Sequence, residues 1–351
     1  MKKKVIIGLS GGIDSTVAAY LLKKDGYDVI GLYIDINAKA SKKDRKAVEV
    51  IAKQLNIKLI VKRSYQAFKK NIVDEYVKCY VNALTPNPCI RCNRLIKFKE
   101  LFDQKKKIKV DYVATGHYAR ISYDKKNKSY VLRKAKDKNK DQSYFLYTLK
   151  SRELSKVIFP LGELTKKQVK LIASKCGLSK SSNKESQEVC FIPEKDNARF
   201  FRKNYNIKPV KGDIVDIQSK KIGRHKGFIL YTIGQRKGLG IAYSEPLYVI
   251  SINNKTNCIV AAPKKWLYNK KLNVEKVFFS ADKNVKKSLK AKVKIRYRHK
   301  ESSAIINHIS KDKWQIIFSR AQRAIAPGQS VVFYDKDLVV GGGIIKEVCN
   351  D

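Results

Sequence analysis

The chain has 351 residues, too many for one ordinary hydrophobic core, and its 43% hydrophobic content excludes wholesale disorder. Its 76 Lys and Arg against 31 Asp and Glu leave a formal charge of +45, a field that attracts polyanions; the surplus is mostly lysine in a chain also rich in Ile and Asn, so a coding bias would produce it too. No apolar run is long enough for a membrane span and the apolar piece behind "MKKK" is too short for a signal sequence, so the chain reads as cytoplasmic, with no membrane partner.

Residues 4–9 read as a short buried strand. Residues 13–24 follow helical spacing, with Ile13, Val17 and Leu21 on one face. Strands at 27–34, 57–62 and 111–117 then alternate with helices at 43–55, 65–82 and 93–106. That alternation predicts an α/β fold with a doubly wound parallel sheet, whose functional groups gather at the strand C-termini. A lysine-rich stretch at 124–140 reads as low-complexity loop. After about residue 205 the helical period fades and short strands appear at 212–217, 247–252 and 258–263. The stretch 291–299 alternates, with Val293, Ile295 and Tyr297 facing one way and Lys292, Lys294, Arg296 and Arg298 the other. A Pro-Gly turn leads a strand at 325–334, and 339–345 adds another. The expected domains are 1–205, α/β and catalytic; 206–270, small, central and β-rich; and 271–351, a C-terminal β-barrel.

The segment "SGGIDS" (10–15) falls where the first strand ends and the first helix begins. Glycines permit a sharp turn and close approach to a ligand, and the first helical N–H groups favour an anion. Ser10 and Ser15 add hydroxyls. Gly-Gly alone would suit an ordinary tight turn; the whole string, after a strand and before a helix, points to a phosphate cradle. It is not a Walker A loop, because no Gly-Lys-[Ser/Thr] follows. It resembles the S-G-G-x-D-S pyrophosphate loop (PP-loop) of the ATP pyrophosphatases, which adenylate a carbonyl or carboxyl oxygen and release pyrophosphate. By that resemblance Gly8, Leu9, Ser10, Gly11, Gly12, Ile13, Asp14 and Ser15 contact ATP, Asp14 lies near Mg²⁺, and Ile34 and Gly116 flank the adenine and ribose.

Seven cysteines, an odd count without a secretory signal, argue against a disulfide framework. Cys79, Cys176, Cys258 and Cys349 read as small buried hydrophobes. Cys89 and Cys92 stand in "TPNPCIRCNRLIKF" (85–98), just before the expected helix, and Cys190 stands in "SQEVCFIP" (186–193). A helix N-terminus and the neighbouring Arg91 and Arg94 would lower the Cys92 pKa, making it a nucleophile. A closed zinc site would need a fourth ligand that no second C-x-x-C or H-x₃₋₅-H supplies. An iron–sulfur cluster on Cys89, Cys92 and Cys190 with one open iron is the minority alternative.

The motifs "GLSGGIDS", "TPNPCIRCNRLIKF", "ATGHYAR", "KDQSYFLYTL", "FPLGELTK", "SQEVCFIP", "YTIGQRKGLGI", "IRYRH" and "APGQSVVFYD...GGGII" run in this order nearly end to end. Together they are similar to the tRNA-specific 2-thiouridylases. That resemblance implies a PP-loop domain, a small central domain and a C-terminal β-barrel. Cys92 matches the nucleophile and Cys190 the persulfide-bearing cysteine. Asn87, Pro88 and Cys89 match the stretch facing the target base; His117, Lys140, Asp141, Gln142, Arg296, Tyr297 and Gln329 match tRNA-contacting positions. Position 89 is Cys here where some members carry Asp, so the nucleophile is assigned to Cys92 from its place before "NRLIKF". The stretch 37–46 is shorter and more lysine-rich than in other members.

The implied reaction is ATP-dependent 2-thiolation of the wobble uridine in the anticodon loop of tRNA. The C2 oxygen of uracil attacks the α-phosphate of ATP, pyrophosphate leaves, and sulfur displaces AMP. Sulfur arrives as a Cys190 persulfide from a donor protein, a cysteine desulfurase or sulfur carrier. Cys92 then releases it as sulfide, leaving a disulfide, or resolves the product of direct persulfide attack. A single-stranded anticodon loop presents the base cheaply, and "YFLY" within "DQSYFLY" reads mainly as core. Two rival classes remain at this stage: an amide-forming ATP pyrophosphatase, which needs no pair of thiols, and a basic RNA-binding protein, which needs no "SGGIDS".

Overall fold

The computed structural model describes residues 2–37, 42–178, 189–192, 196–280 and 287–349. The expected "SQEVCFIP" loop and the 37–46 stretch therefore lie only partly within the described residues. The first part of the chain supplies strands β1 (Lys4–Gly8), β2 (Asp28–Asp35), β3 (Lys58–Arg63), β4 (Tyr112–Ala114), β5 (Ala119–Asp124), β6 (Ser129–Lys134) and β7 (Val157–Ile158). Its helices are α1 (Ile13–Lys24), α2 (Lys42–Gln54), α3 (Tyr65–Phe68), α4 (Asp74–Val81), α5 (Pro88–Cys92), α6 (Phe98–Ile108), α7 (Ser151–Leu154), α8 (Lys166–Lys175) and α9 (Asn197–Tyr205). π-turns at Lys69–Val73 and Asn93–Lys97 splice α3 to α4 and α5 to α6.

Five parallel strands form one sheet in the order β3-β2-β1-β4-β7. The α/β, doubly wound expectation holds. Alternate residues of β1 explain the layering: Val5 and Ile7 pack with α1 and α8, whereas Ile6 packs on the other face with Phe98 and Leu101 of α6. The order places β2 and β4 on either side of β1. The chain therefore runs one way from β1 and later returns to its other side, which opens a crevice at the C-terminal ends of β1 and β4.

A second sheet holds β8 (Gly212–Val215), β9 (Lys221–His225), β10 (Leu247–Asn253) and β11 (Cys258–Pro263), in the order β10-β11-β8-β9. Ile214, Val249 and Ile259 fill its small core. The last six strands are β12 (Tyr268–Phe279), β13 (Ser288–Lys294), β14 (Ser302–Ser310), β15 (Lys313–Arg323), β16 (Ser330–Asp335) and β17 (Leu338–Cys349). β12 pairs with both β15 and β17, so these strands close into an antiparallel barrel around Val274, Ile306, Ile316 and Phe333. Closure removes free edges among these six strands.

Three expectations are corrected here. The lysine-rich 124–140 stretch is not all loop: β5 and β6 form a hairpin that joins β17 of the barrel. Arg120 and Arg133 both pair with Asp337, at 3.0 and 2.6 Å, which fixes the joint. The strand expected at 291–299 ends at Lys294, where a turn carries Arg296 and Tyr297 inward. The helix expected to begin at residue 93 begins at Pro88, whose missing N–H costs nothing in a first helical turn. β16 is buried on both faces, because Val331 and Phe333 enter the barrel core while Val332 and Tyr334 pack on the parallel-sheet domain.

Candidate active site

Gly8 ends β1, and Leu9 anchors the following turn by donating its N–H to Leu32 O at 2.8 Å. Gly11 has φ +80°, a left-handed conformation that needs glycine. Gly12 caps α1, and its carbonyl accepts hydrogen bonds from the Ser15 hydroxyl (3.0 Å) and the Thr16 hydroxyl (3.0 Å) and N–H (3.2 Å). Ser10 Oγ lies 3.2 Å from Ser15 Oγ, which also accepts the Ser10 N–H. The first N–H groups of α1, at Ile13, Asp14 and Ser15, have no partner within their helix, so the turn presents a concave, anion-seeking end.

Asp14 is held from two sides. Lys166 Nζ lies 2.6 and 2.8 Å from its carboxylate oxygens, and the Tyr118 hydroxyl donates to it at 2.8 Å. Lys166 sits here because Thr165 caps α8 in a capping box with Gln168, which makes Lys166 the first helical residue. The sequence reading gave Lys166 and Tyr118 no role. Both lie inside the quoted motifs "FPLGELTK" and "ATGHYAR", the only signal that could have flagged them.

From the end of β4 the chain runs straight against this turn. A Cβ on Gly116 would lie 2.8 Å from Asp14 C and from Ser15 N, so only glycine permits the contact. Next comes His117, which shares a 2.8 Å hydrogen bond with Thr115 through Nδ1. Its ring stacks on Phe98, with centroids 6.2 Å apart, and meets Phe159 edge-on. That apolar packing, with the Lys97 charge adding to it, pushes the imidazole pKa down to about 3, so it is neutral at pH 7.

Phe98 opens α6, directly behind the thiol segment. Cys92, the last residue of α5, is buried within a cluster that includes Phe68, Ile72, Tyr76, Ile96 and Phe201. Ile34, at the end of β2, packs against the same cluster. Phe191 packs there too, meeting Tyr76 and Phe68, and so anchors the neighbouring Cys190. Cys89 and Cys190 are exposed. The three sulfurs are close enough to act on one another electrostatically: Cys190 raises both Cys89 and Cys92.

The expected low Cys92 pKa is overturned. Cys92 ends α5 rather than opening a helix, and burial pushes its thiol up to about 11. The two arginines credited with lowering it are engaged elsewhere. Arg94 Nη1 lies 2.6 Å from both oxygens of Glu153. Arg91 donates to Asn71 O at 3.2 Å and faces Glu75 at 3.7 Å. The surrounding protein also pushes Cys89 and Cys190 up. Cys79, Cys176, Cys258 and Cys349 are half-buried rather than buried, and all seven thiols are free.

Of the remaining predicted residues, Asn87, Pro88, Gln329, Arg296 and Tyr297 lie where the barrel meets the thiol segment and its neighbours. Gln329 donates to Thr85 O at 3.0 Å and Pro86 O at 3.2 Å, and Thr85 N–H donates to Pro327 O at 2.8 Å. The barrel turn thus holds the segment that leads into Asn87 and the buried Pro88. Asn87 bonds the Tyr144 hydroxyl, which itself donates to Ser330 O at 2.7 Å. Tyr297 packs on Phe145 with ring centroids 4.4 Å apart, and Arg296 Nη1 donates to Ala324 O at 3.2 Å. As expected, "YFLY" is mostly core, with Tyr144, Leu146 and Tyr147 all buried. Asp141 is buried and accepts the Ala135 N–H (3.0 Å), the Ser143 N–H (3.2 Å) and the Ser143 hydroxyl (2.9 Å). Gln142 accepts the Tyr118 N–H at 3.0 Å, and Lys140 donates its N–H to Asp137 O at 3.1 Å. This 140–142 segment therefore braces the same Tyr118 that holds Asp14.

Comparison with known proteins agrees with this architecture along nearly the whole chain. Residues 3–194 match a family model described as the tRNA methyl transferase HUP domain, 199–263 its PRC-barrel domain, and 269–345 an aminomethyltransferase beta-barrel domain. The chain is 43% identical over 349 residues to a protein of Clostridium botulinum strain Hall named tRNA-specific 2-thiouridylase MnmA 2, covering 98% of each. The chain belongs to the tRNA-specific 2-thiouridylase family. A second member, MnmA 1 of the Okra strain, is also 43% identical, over 356 residues and 99% of each chain. In this family member, Gly116 packs on the Gly-rich turn and the adjacent His117 stacks on Phe98, which follows the segment that carries Cys89 and Cys92.

Proposed function

We propose that this protein thiolates tRNA, replacing O2 of the wobble uridine with sulfur at the expense of ATP. The observation that carries this reading is the line of contacts from Asp14 and Ser15, through Gly116 and His117, to Phe98, the residue that follows the thiol segment in the chain. It supports one reaction chamber with a phosphate end and a sulfur end. An amide-forming ATP pyrophosphatase would have no use for the second end.

ATP lays its phosphates against the first turn of α1, where Ser10, Ser15 and the helical N–H groups suit a leaving pyrophosphate. Among the described residues no three His, Cys, Asp or Glu side chains are grouped to hold a metal ion. A single carboxylate, Asp14, fits Mg²⁺ that arrives on nucleotide phosphates and keeps most of its waters. Such an ion would supply charge stabilisation for the departing pyrophosphate; Lys166 supplies a fixed positive charge on the same side.

Uracil O2 attacks the α-phosphorus, the bond to pyrophosphate breaks, and C2 becomes open to sulfur. Cys190 receives a persulfide from a donor protein, and the Cys92 thiolate attacks its inner sulfur. A Cys92–Cys190 disulfide forms and hydrosulfide leaves; hydrosulfide adds to C2, and AMP departs with the former O2. A dithiol reductant must then return two electrons and two protons to the disulfide. Neutral His117, between the two ends, offers a ring nitrogen to the uracil edge without competing as a cation.

The test incubates the protein with tRNA, ATP, Mg²⁺ and a persulfide donor, followed by nucleoside analysis. Pyrophosphate release should require tRNA with a wobble uridine and match the 2-thiouridine formed. ATP turnover without tRNA, or no thionucleoside, overturns the reading. Colour and iron content in the isolated protein would favour the cluster on Cys89, Cys92 and Cys190 instead.

A further inference from the structure

The tRNA-thiolation reading, on which this inference rests, leaves the motif "YTIGQRKGLGI" of the central domain without a role. Its place in the fold supplies one. A Cβ on Gly234 would lie 2.7 Å from Ala324 Cβ, so this loop sits directly against the end of β15. Leu267, in the link between the central sheet and the barrel, accepts the Ala324 N–H at 2.8 Å. Central domain, link and barrel therefore meet at the Arg323–Ala324 peptide.

Two guanidinium groups are hung on that peptide. Arg296 Nη1 donates to Arg323 O at 3.4 Å and to Ala324 O at 3.2 Å, which fixes its charge beside the Arg323 backbone. Arg323, the last residue of β15, reaches out of the barrel and lies over the Tyr248 ring of β10, 5.4 Å from its centroid. Among the described residues neither arginine pairs with a carboxylate. Arg323 has no bracing hydrogen bond either, and its Nε is buried without a partner. Both side chains are half-buried and still reach solvent. Burial, with the Arg323 charge adding to it, lowers the Arg296 pKa. Two cations held together without an acid cost stability, and a bound anion would offset that cost.

We propose that Arg323 and Arg296 form a clamp for one phosphodiester of the tRNA backbone, with Tyr248 holding the Arg323 fork in place. A phosphodiester has two free oxygens and one negative charge, which suit a guanidinium fork. An arginine stacked on an aromatic face keeps its in-plane N–H donors for such an anion. The position suits the substrate as well. Tyr297, next to Arg296, meets Tyr144 with ring centroids 6.0 Å apart, and the Tyr144 hydroxyl bonds Asn87 at the head of the thiol segment. A backbone gripped here lies beside the nucleotide that is offered to sulfur. The family resemblance places Arg296 against tRNA; Arg323 and Tyr248 are additions that come from the fold.

The test measures equilibrium binding of unmodified tRNA to the full chain by filter retention across a salt series, without ATP or a sulfur donor. Arg323→Gln should weaken binding roughly tenfold, the loss of one charge-assisted contact, and lower the slope of log affinity against log salt by about 1. Arg323→Lys should restore the slope but only part of the affinity, because it keeps the charge and loses the fork. Tyr248→Leu keeps both charges, so it should weaken binding severalfold with the slope unchanged. Lys311→Gln removes an exposed cation before the far end of β15 and should bind like wild type. Wild-type affinity and slope in Arg323→Gln, with a melting curve showing it folded, overturn the proposal. An equal loss in Lys311→Gln also overturns it, by reducing the effect to net charge. So does unchanged tRNA binding with weakened ATP binding, which would assign the pair to nucleotide phosphates. These outcomes leave the thiolation reading standing; Arg323-dependent tRNA binding in a protein that never thiolates tRNA would sink that reading and keep this one.

Discussion

The phosphate end and the sulfur end of the site are built in opposite ways. The phosphate end is a backbone object. Its parts lie within residues 8–16, its shape depends on the left-handed Gly11, and its polarity comes from the first turn of α1. Only the clamp on Asp14, from Tyr118 and Lys166, comes from far along the chain. The sulfur end is a side-chain object. Cys190 is brought to Cys89 and Cys92 where Phe191 packs among Tyr76, Phe68 and Phe200, and burial dominates the ionisation of the thiols. A local backbone motif can be moved little without being destroyed. A charge balance among distant side chains can be shifted one residue at a time.

The largest effect belongs at the sulfur end. Cys92→Ser or Cys190→Ser should reduce thiolation below detection, because a hydroxyl cannot exchange with a persulfide, while tRNA binding by filter assay stays near wild type. Full activity in Cys92→Ser would move the nucleophile to Cys89 and break the comparison at its centre.

Next comes the joint between the two ends. Gly116→Ala forces a Cβ to within 2.8 Å of the Asp14 and Ser15 backbone, so the loop must move. Pyrophosphate release should fall by about a hundredfold, with the thiol alkylation profile unchanged. Loss of both readouts together would show that the ends are not separable.

A smaller effect concerns His117. Its folded pKa of about 3 lies below the ordinary histidine value, so the fold binds the neutral ring. The unfolded imidazole takes up its proton first on acidification. Stability from this group is therefore full above pH 6.5 and is lost as pH falls toward 3. His117→Asn should flatten the acid side of the melting temperature profile relative to wild type, and parallel profiles would refute the burial argument. The smallest effect is expected for Gln329→Ala, which removes two hydrogen bonds to the 85–86 segment and should lower unfolding free energy by about 1–2 kcal/mol in urea. Thiolation should fall only severalfold.

These differences follow what could be read from the chain in advance. The parallel sheet, the Gly-rich turn and the barrel were legible because short-range period and glycine placement decide them. Val5 and Ile7 alternate with Ile6 whatever lies elsewhere. The lysines of 124–140 hid β6, which pairs with β5 in a local hairpin and also meets β17 some two hundred residues on. Cys92 was found but misjudged. Neighbouring arginines in a sequence are not neighbouring charges in space, and both had closer carboxylates.

By itself the sequence determined the strand–turn–helix that faces phosphate, since its glycines, hydroxyls and helix start act within a few residues of one another. Only the tertiary structure decided how deeply the thiols are buried, and that Lys166 and Tyr118 grip Asp14. The physical reason is that burial and electrostatic fields depend on distance through space, and the groups that set them here are separated by as much as the length of a domain.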